Sequence, residues 1–331
     1  MAIDTAKTIT SGTATAAIKN RFYDELFLKR AEAMLVHKQL GQRNVQAPKG
    51  QGGYGSGAVY WTRWTNLPLV STGQGEGVPT TAVQLTATNV TGTTAQYDAA
   101  VSISDLMAYT SFGDVMKQAI ELLAYNAGLS IDTVVAKEVA TSGTMQAATG
   151  LGSNWTAIPV TGVLSINEIK RAVRTLNRNN AFKQSDGFYV ATVHPDALFD
   201  LMTDTTTGGW IDANKYDSAT SDKLLNGEVG RLHGVRFLDT TNTYSGVGSS
   251  FATGSAIVAS SSIYVTSVFG REAFGVTELQ NLQTFVKELG SAGAGDPTNK
   301  IATAGWKTTF GVAELNSAFN VNIRHTVSST A

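Results

Sequence analysis

Four histidines are the residues of this chain best suited to acid–base or metal chemistry near neutral pH. They are His37, His194, His233 and His325, and they lie far apart in the sequence. None belongs to a His-Glu-x-x-His pair, and the chain has no cysteine that could complete a zinc site. The sequence therefore predicts no metal site at the histidines.

His194 has the surroundings nearest to a catalytic arrangement, because only Pro195 separates it from the carboxylate of Asp196. A hydrolytic histidine also needs a nucleophile, and the sequence has no Gly-x-Ser-x-Gly elbow to present one. We interpret His194 as a polar residue at a strand-to-helix corner. A soluble hydrolase that uses His194 is kept as an alternative.

Two other runs resemble ligand-binding loops but lack the context that such loops need. Residues Gly50–Gly55 match Gly-x-Gly-x-x-Gly, yet a dinucleotide site requires a strand before this string and a helix after it. Here Ala47-Pro48-Lys49 precedes it and a strand-like run follows. Residues Asp212–Asp217 lack the central glycine and terminal glutamate of a calcium loop. The sequence predicts no cofactor and no metal.

Composition further narrows the classes of protein to which this chain can belong. The 331 residues are 42% hydrophobic, which is enough for a sizeable core, while only 15% are charged and the net charge is −1. A dedicated nucleic-acid binder carries a basic face, so only weak, nonspecific contact with DNA is expected. No signal-peptide core and no run of about 20 apolar residues is present, which predicts a soluble protein with no membrane partner.

The strongest helical pattern runs from Asp114 to Thr141, with apolar residues every three or four positions. The charged residues Asp132, Lys137 and Glu138 on it are predicted to form a polar stripe facing solvent or another subunit. A shorter amphipathic helix is predicted over 20–39, ending at Gly41.

A second lobe of mixed helices and strands is predicted over about 161–271. Ser165 and Glu168 have the spacing of a capping box at a helix start. A buried strand over 188–193 leads into a helix with Pro195 in its first turn. Further strands are expected over 229–238 and 256–268. After Arg271 the pattern is β-rich, and these strands are expected to pair near the long helix and close the first lobe.

Residues 45–100 stand out because they contain only four charged residues, which are Lys49, Arg63, Glu76 and Asp98. Strand-like runs bracket a glycine-rich centre, which predicts a long two-stranded excursion. An isolated hairpin is marginally stable in water, so its aromatic side chains need another surface. Those side chains are Tyr54, Tyr60, Trp61 and Trp64. Two alternatives are open: the excursion folds back on its own domain, or it lies on a neighbouring subunit.

An ordered series of short motifs resembles the N4-type major capsid proteins of tailed bacteriophages. It comprises Val193-His194-Pro195, Asp200-Leu201, Gly208-Gly209-Trp210, Gly227-Glu228-Val229-Gly230, Gly234-Val235-Arg236-Phe237, the run 269–276, Asp296-Pro297 and Gly305-Trp306-Lys307. The resemblance covers about residues 20–325.

This resemblance implies an α+β, Hong Kong 97-type capsid fold with five parts. They are an N-terminal arm and helix (1–44), an extended loop (45–104), a peripheral domain with a long spine helix (105–160), an axial α/β domain (161–271) and C-terminal strands of the peripheral domain (272–331). Some proteins with this fold join a loop lysine covalently to an asparagine of a neighbour. Here Lys49 is the only lysine in 45–100, near the start of the loop, so a noncovalent shell is expected.

The function implied by the resemblance is a major capsid protein, not an enzyme, located in the virion and assembled in the host cytoplasm. Its expected partners are its own copies in pentamers and hexamers, a separate scaffolding protein, a portal and a decoration protein. Subunit contacts are hypothesised at Tyr54, Tyr60, Trp61, Trp64, Glu76 and Trp210. A nanocompartment shell protein similar to encapsulins remains an alternative.

Overall fold

A computed structural model provides the three-dimensional structure. It describes residues 25–31, 35–43, 58–73, 75–77, 79–80, 82–111, 113–148, 162–204, 228–247, 262–290 and 298–328. The Gly50–Gly55 run, the Asp212–Asp217 run, Tyr54, Lys49 and Trp210 lie outside these ranges.

The N-terminal part contains a helix over 25–31 (α1), helix α2 (His37–Leu40) and the short strand β1 (Gln42–Arg43). The single helix predicted over 20–39 is therefore wrong, because residues 35 and 36 are not helical. The interruption places His37 at the start of α2, where its backbone N–H bonds to Asp132. Gly41 follows α2 as predicted, and a Cβ at this position would meet Val276 at 2.6 Å.

The first lobe is a five-stranded sheet packed against the long helix. After β2 (Ala58–Trp64) and β3 (Ala87–Ser104) come α3 (Asp105–Thr110) and α4 (Val115–Thr141). Strands β10 (Phe274–Lys287) and β11 (Ile301–Glu314) complete the sheet, in the order β1-β10-β11-β3-β2. Asp114 caps α4 by accepting the Lys117 N–H at 3.1 Å, so the predicted start of this helix is confirmed.

The second lobe is a seven-stranded sheet flanked by α5 (Ile166–Arg178) and α6 (Pro195–Thr203). Its strands are β4 (Thr144–Ala147), β5 (Tyr189–Val193), β6 (Glu228–Leu232), β7 (Val235–Asp239), β8 (Ser245–Val247), β9 (Ser262–Phe269) and β12 (Asn320–His325). The main path runs β4-β12-β9-β5-β7-β6, and β8 pairs with β9.

Two expectations about this lobe need correction. Helix α5 starts where the capping box predicted, but Ser165 makes no side-chain cap; Asp204 instead accepts the Ile166 N–H at 3.1 Å. Glu168 is occupied elsewhere, by Gln146 at 2.7 Å and Arg171 at 2.8 Å. Strand β12 does not close the first lobe, because it lies between β4 and β9 of the second sheet.

Helix α4 joins the two lobes through its buried face. Its first half packs with α1 and β11, around Ile120, Leu123 and Trp306. Its second half contributes Ile131 and Val135 to a cluster that includes residues of both sheets. The helix is long and apolar enough to cross a membrane by length and composition, but 56% of its most apolar window is buried inside the protein. It is therefore a core helix of this fold.

Candidate functional site

The most unusual surface is formed by the excursion between β2 and β3. From Thr62 to Leu85, every residue whose burial is described is exposed. This stretch includes large apolar side chains that proteins normally bury. They are Trp64 (62% exposed), Leu67 (58%), Leu69 (91%), Val70 (79%), Val83 (55%) and Leu85 (61%). We call the stretch 62–85 the exposed strap.

The strap has almost no charge, since Arg63 and Glu76 are its only charged residues. Both are exposed, and neither has an ion pair among the described residues. Contiguous exposed apolar surface of this kind marks an interaction site in soluble proteins. The strap can therefore form a largely uncharged contact.

The base of the excursion, in contrast, is attached to its own domain. Val59 is buried, and the indole of Trp61 lies over two glycines of the sheet. A Cβ at Gly92 would meet this ring at 2.5 Å, and one at Gly275 would meet it at 2.9 Å. Only glycine permits so close an approach at these two positions. The base of the excursion therefore folds back on its own domain, as the first alternative predicted. The strap is exposed in the single subunit, and its contact with a neighbouring subunit stays a prediction.

The hypothesised contact residues accordingly fall into three groups. Tyr60, Trp64 and Glu76 are exposed, and their contact with a neighbour remains a proposal. Trp61 packs on its own chain, which leaves only part of its ring for a neighbour. Tyr54 and Trp210 lie outside the described residues.

A second exposed apolar surface lies at the opposite end of the first sheet. Helix α3 exposes Leu106, Met107 and Tyr109, at 69%, 52% and 79%. Beside them a groove of about 370 Å³ runs between the start of α4 and the end of β10. No pattern in the sequence marked this surface.

His194 has a structural role at the start of α6, as the sequence predicted. Its Nδ1 accepts the backbone N–H of Asp196 at 3.3 Å and thereby caps the helix. Its ring lies 4.7 Å from the ring of Tyr264. Burial raises the pKa of the nearby Asp239 carboxyl, and His194 partly opposes this rise. We find no nucleophile beside His194 in the contacts of the described residues.

His325 also lies near Tyr264, with 6.4 Å between ring centroids. The structure thus brings together two histidines that are far apart in the sequence. Thr266 Oγ1 and the carbonyl of Thr326 hold its ring nitrogens at 2.9 and 3.0 Å. Burial lowers the pKa of His325 to about 4, so the ring is neutral near neutral pH. Among the described residues no cluster of three or more histidine, aspartate or glutamate side chains is suited to a metal.

The predicted polar stripe on α4 is wrong for Asp132. Lys137 is exposed and Glu138 is half-buried, but Asp132 is fully buried. Its carboxylate pairs with His37, whose Nδ1 lies 2.8 Å from Oδ2. Helical spacing alone signalled this burial, since Asp132 follows Ile131 and precedes Val135 by three positions on the buried face.

Comparison with known proteins finds similarity in structure and none in sequence. No family model matches the sequence, and no curated protein matches it. Solved structures do match. The capsid of Ralstonia phage GP4 is 13% identical, with a TM-score of 0.65 over 91% of both chains. The capsid of cyanophage P-SCSP1u is 13% identical, with a TM-score of 0.62 over 89% of both chains. The capsid of cyanophage Pam1 is 16% identical, with a TM-score of 0.60 over 82% of this chain and 85% of that one.

The chain has the fold of a phage capsid protein. At these identities the likeness concerns the fold, and it extends over almost the whole of both chains. Helix α4 falls in the range predicted for the long helix, 105–160, and the strap falls in the range predicted for the extended loop, 45–104. The division into peripheral and axial domains stays a prediction.

Proposed function

We propose that this chain is the major capsid protein of a tailed bacteriophage. It assembles through pentamers and hexamers into an icosahedral shell that encloses the phage genome. The observation that carries the proposal is the capsid fold over about nine-tenths of the chain. The motif series quoted above supports the finer assignment to the N4-type proteins and the Hong Kong 97-type fold.

The exposed strap supports the proposal that copies of this chain assemble with one another. Among the described residues of the excursion, seven apolar side chains, Tyr60 included, face solvent in the single subunit. Burying one large apolar side chain contributes about 1.5–3 kcal/mol. Closed symmetry repeats the same contact at every equivalent interface. A neighbouring copy that covers the strap therefore stabilises the shell many times over.

The proposed partners are other copies of this chain, a separate scaffolding protein, a portal and a decoration protein. Contact with the packaged DNA is weak and nonspecific, because the net charge is −1 and no basic face is evident from the sequence. The protein acts as a structural subunit and not as an enzyme. Its place is the virion capsid, assembled in the host cytoplasm.

Electron microscopy of the purified protein tests the proposal. Closed icosahedral shells, formed by the protein alone or with its scaffolding protein, are the expected result. A protein that stays monomeric by light scattering at every concentration, with scaffold added, would overturn it. Shells isolated from cells should contain DNA; an enzyme as cargo would favour a nanocompartment instead.

A further inference from the structure

Asp132 lies where three parts of the chain meet, and its carboxylate bonds to two of them. Oδ1 accepts the backbone N–H of His37 at 2.7 Å, and Oδ2 lies 2.8 Å from His37 Nδ1. The side-chain amide of Asn242 donates to the same Oδ2 at 3.2 Å. His37 begins α2 of the N-terminal part, and Asn242 lies between β7 and β8 of the second lobe.

Asn242 is itself held on α4 by two more contacts. Thr133 Oγ1 lies 2.9 Å from Asn242 Oδ1, and the carbonyl of Leu129 lies 3.5 Å from Asn242 Nδ2. The loop of the second lobe is therefore fastened to one turn of α4, and the N-terminal part is fastened to the same turn through His37.

The carboxylate is costly in this environment. Asp132 is 0% exposed, and the neighbouring cluster is formed by Ile131, Val135 and apolar residues of both sheets. A buried charge is unfavourable unless it is fully paired, and a well-packed apolar residue is often as stable in its place. Buried polar groups of this kind can define how elements are positioned relative to one another.

The two donors also depend on each other. While His37 covers Asp132, the bond from Asn242 lies in a dry, low-dielectric environment, where hydrogen bonds are stronger. If the N-terminal part leaves, water reaches the carboxylate and that bond weakens. The same holds for His37 if the loop of the second lobe leaves.

We propose that Asp132 couples the docking of the N-terminal part, residues 25–31 and 35–43, to the packing of the second lobe on α4. Release of either one loosens the other. The device is a property of the single subunit and does not depend on the shell proposed above. In a shell it lets a contact made by the N-terminal part change how the second lobe is held.

Amide hydrogen exchange on the purified, unassembled full chain tests the coupling. His37→Ala removes the ring that bonds to Asp132, and we expect exchange in the distant segment 240–247 to accelerate at least about 5-fold, the lower range of typical coupling between sites. Reciprocally, Asn242→Ala should accelerate exchange in 37–43. Both of these accelerations, in 240–247 and in 37–43, should be smaller when Asp132→Asn is also present. Asparagine keeps the size of the side chain and removes its charge.

Arg30→Ala is the matched control. It removes the ion pair between Arg30 and Glu121, 2.8 Å long and on the exposed side, which also fastens the N-terminal part to α4. This variant should leave exchange in 240–247 unchanged, because an exposed ion pair contributes little to docking and its loss leaves His37 bonded to Asp132. The proposal is overturned if His37→Ala does not accelerate exchange in 240–247, or if Arg30→Ala accelerates it as much. It is also overturned if the accelerations are undiminished with Asp132→Asn.

Discussion

At the scale of single residues, burial determines how the ionisable groups behave. His325 and Glu314 show this in opposite ways, because burial disfavours the charged form of each. For His325 it lowers the pKa, and for Glu314 it raises the pKa. Glu138 adds to the rise for Glu314, while a hydrogen bond from the backbone of Gly143 opposes it.

His325 is expected to make the protein less stable in mild acid. Between pH 6.5 and about 4 the unfolded chain binds a proton at His325 while the folded chain does not. The free energy of unfolding therefore falls as the pH is lowered through this window, by at most about 1.4 kcal/mol per pH unit. Denaturation of His325→Gln across the same range should give a shallower slope; an identical slope would contradict the assignment.

Glu314→Gln is expected to stabilise the folded subunit at neutral pH. A carboxyl whose pKa is raised by folding binds protons better in the folded state, so its contribution to stability falls as the pH rises above the ordinary value of 4.5. Glutamine keeps an oxygen for the Gly143 N–H and carries no charge. Thermal melting should show the gain at neutral pH and its loss in acid. A variant that melts lower at neutral pH would count against this account.

At the scale of elements, the excursion combines an anchored base and an exposed strap. Strand β2 pairs with β3 from Ala58–Thr93 to Trp64–Ala87, and Thr65 N–H donates to Thr86 O at 3.0 Å. The two strands are thus held in register up to that bond. Beyond that bond, every described residue of 66–85 is exposed. We therefore expect the paired base to serve folding and the rest of the strap to serve assembly.

The two neighbouring tryptophans should respond differently to truncation. Trp61→Ala removes a ring packed over Gly92 and Gly275, so it should lower stability, by less than the about 3–5 kcal/mol typical of a fully buried tryptophan. Trp64 is 62% exposed, so Trp64→Ala should leave melting of the subunit unchanged and weaken assembly. Melting curves and the critical concentration for assembly, measured on both variants, check the contrast. A fall in melting temperature with Trp64→Ala would contradict this prediction.

Replacing residues 66–85 by Asn-Gly should give a folded subunit that fails to close shells. Asn-Gly favours a tight hairpin turn, and the Thr65–Thr86 bond already brings the ends together. A second variant, with a glycine-serine loop of the original length, retains the reach of the strap without its apolar side chains. Electron microscopy of both variants distinguishes the effect of the strap's length from the effect of its apolar side chains. Normal shells from either would show that the apolar strap is dispensable.

At the scale of the whole molecule, two lobes share one long helix. Among the described residues, two exposed apolar surfaces lie at the strap and at α3. The proposed shell is held by burial of such surfaces. The extended loop has a single lysine, Lys49, near its start, so no covalent link between its tip and a neighbour is expected.

Mature particles dissolved in denaturant should therefore give a single band at 34.9 kDa on a denaturing gel. Shells that are held only by noncovalent contacts separate into chains once those contacts are lost. Boiled samples with and without reductant should look the same, since the chain has no cysteine. A ladder of multiples of the subunit mass would contradict the prediction.

The sequence by itself determined features that depend on neighbours along the chain. The periodic apolar residues of 114–141 predicted α4, and Pro195 predicted the start of α6. The shortage of charge in 45–100 drew attention to the excursion, and the ordered motifs pointed to the capsid fold. These features can be read from the sequence because helix periodicity, caps and composition depend on residues close together in the chain.

Only the tertiary structure decided which distant groups meet. The spacing of Asp132 along α4 marks the buried face, but nothing in the sequence identifies its partner His37, which is 95 residues away. Asp204 took the capping role expected of Ser165, and β12 joined the second sheet, between β4 and β9. Such pairings depend on how the two lobes pack around α4, and this geometry cannot be read from the distance between residues along the chain.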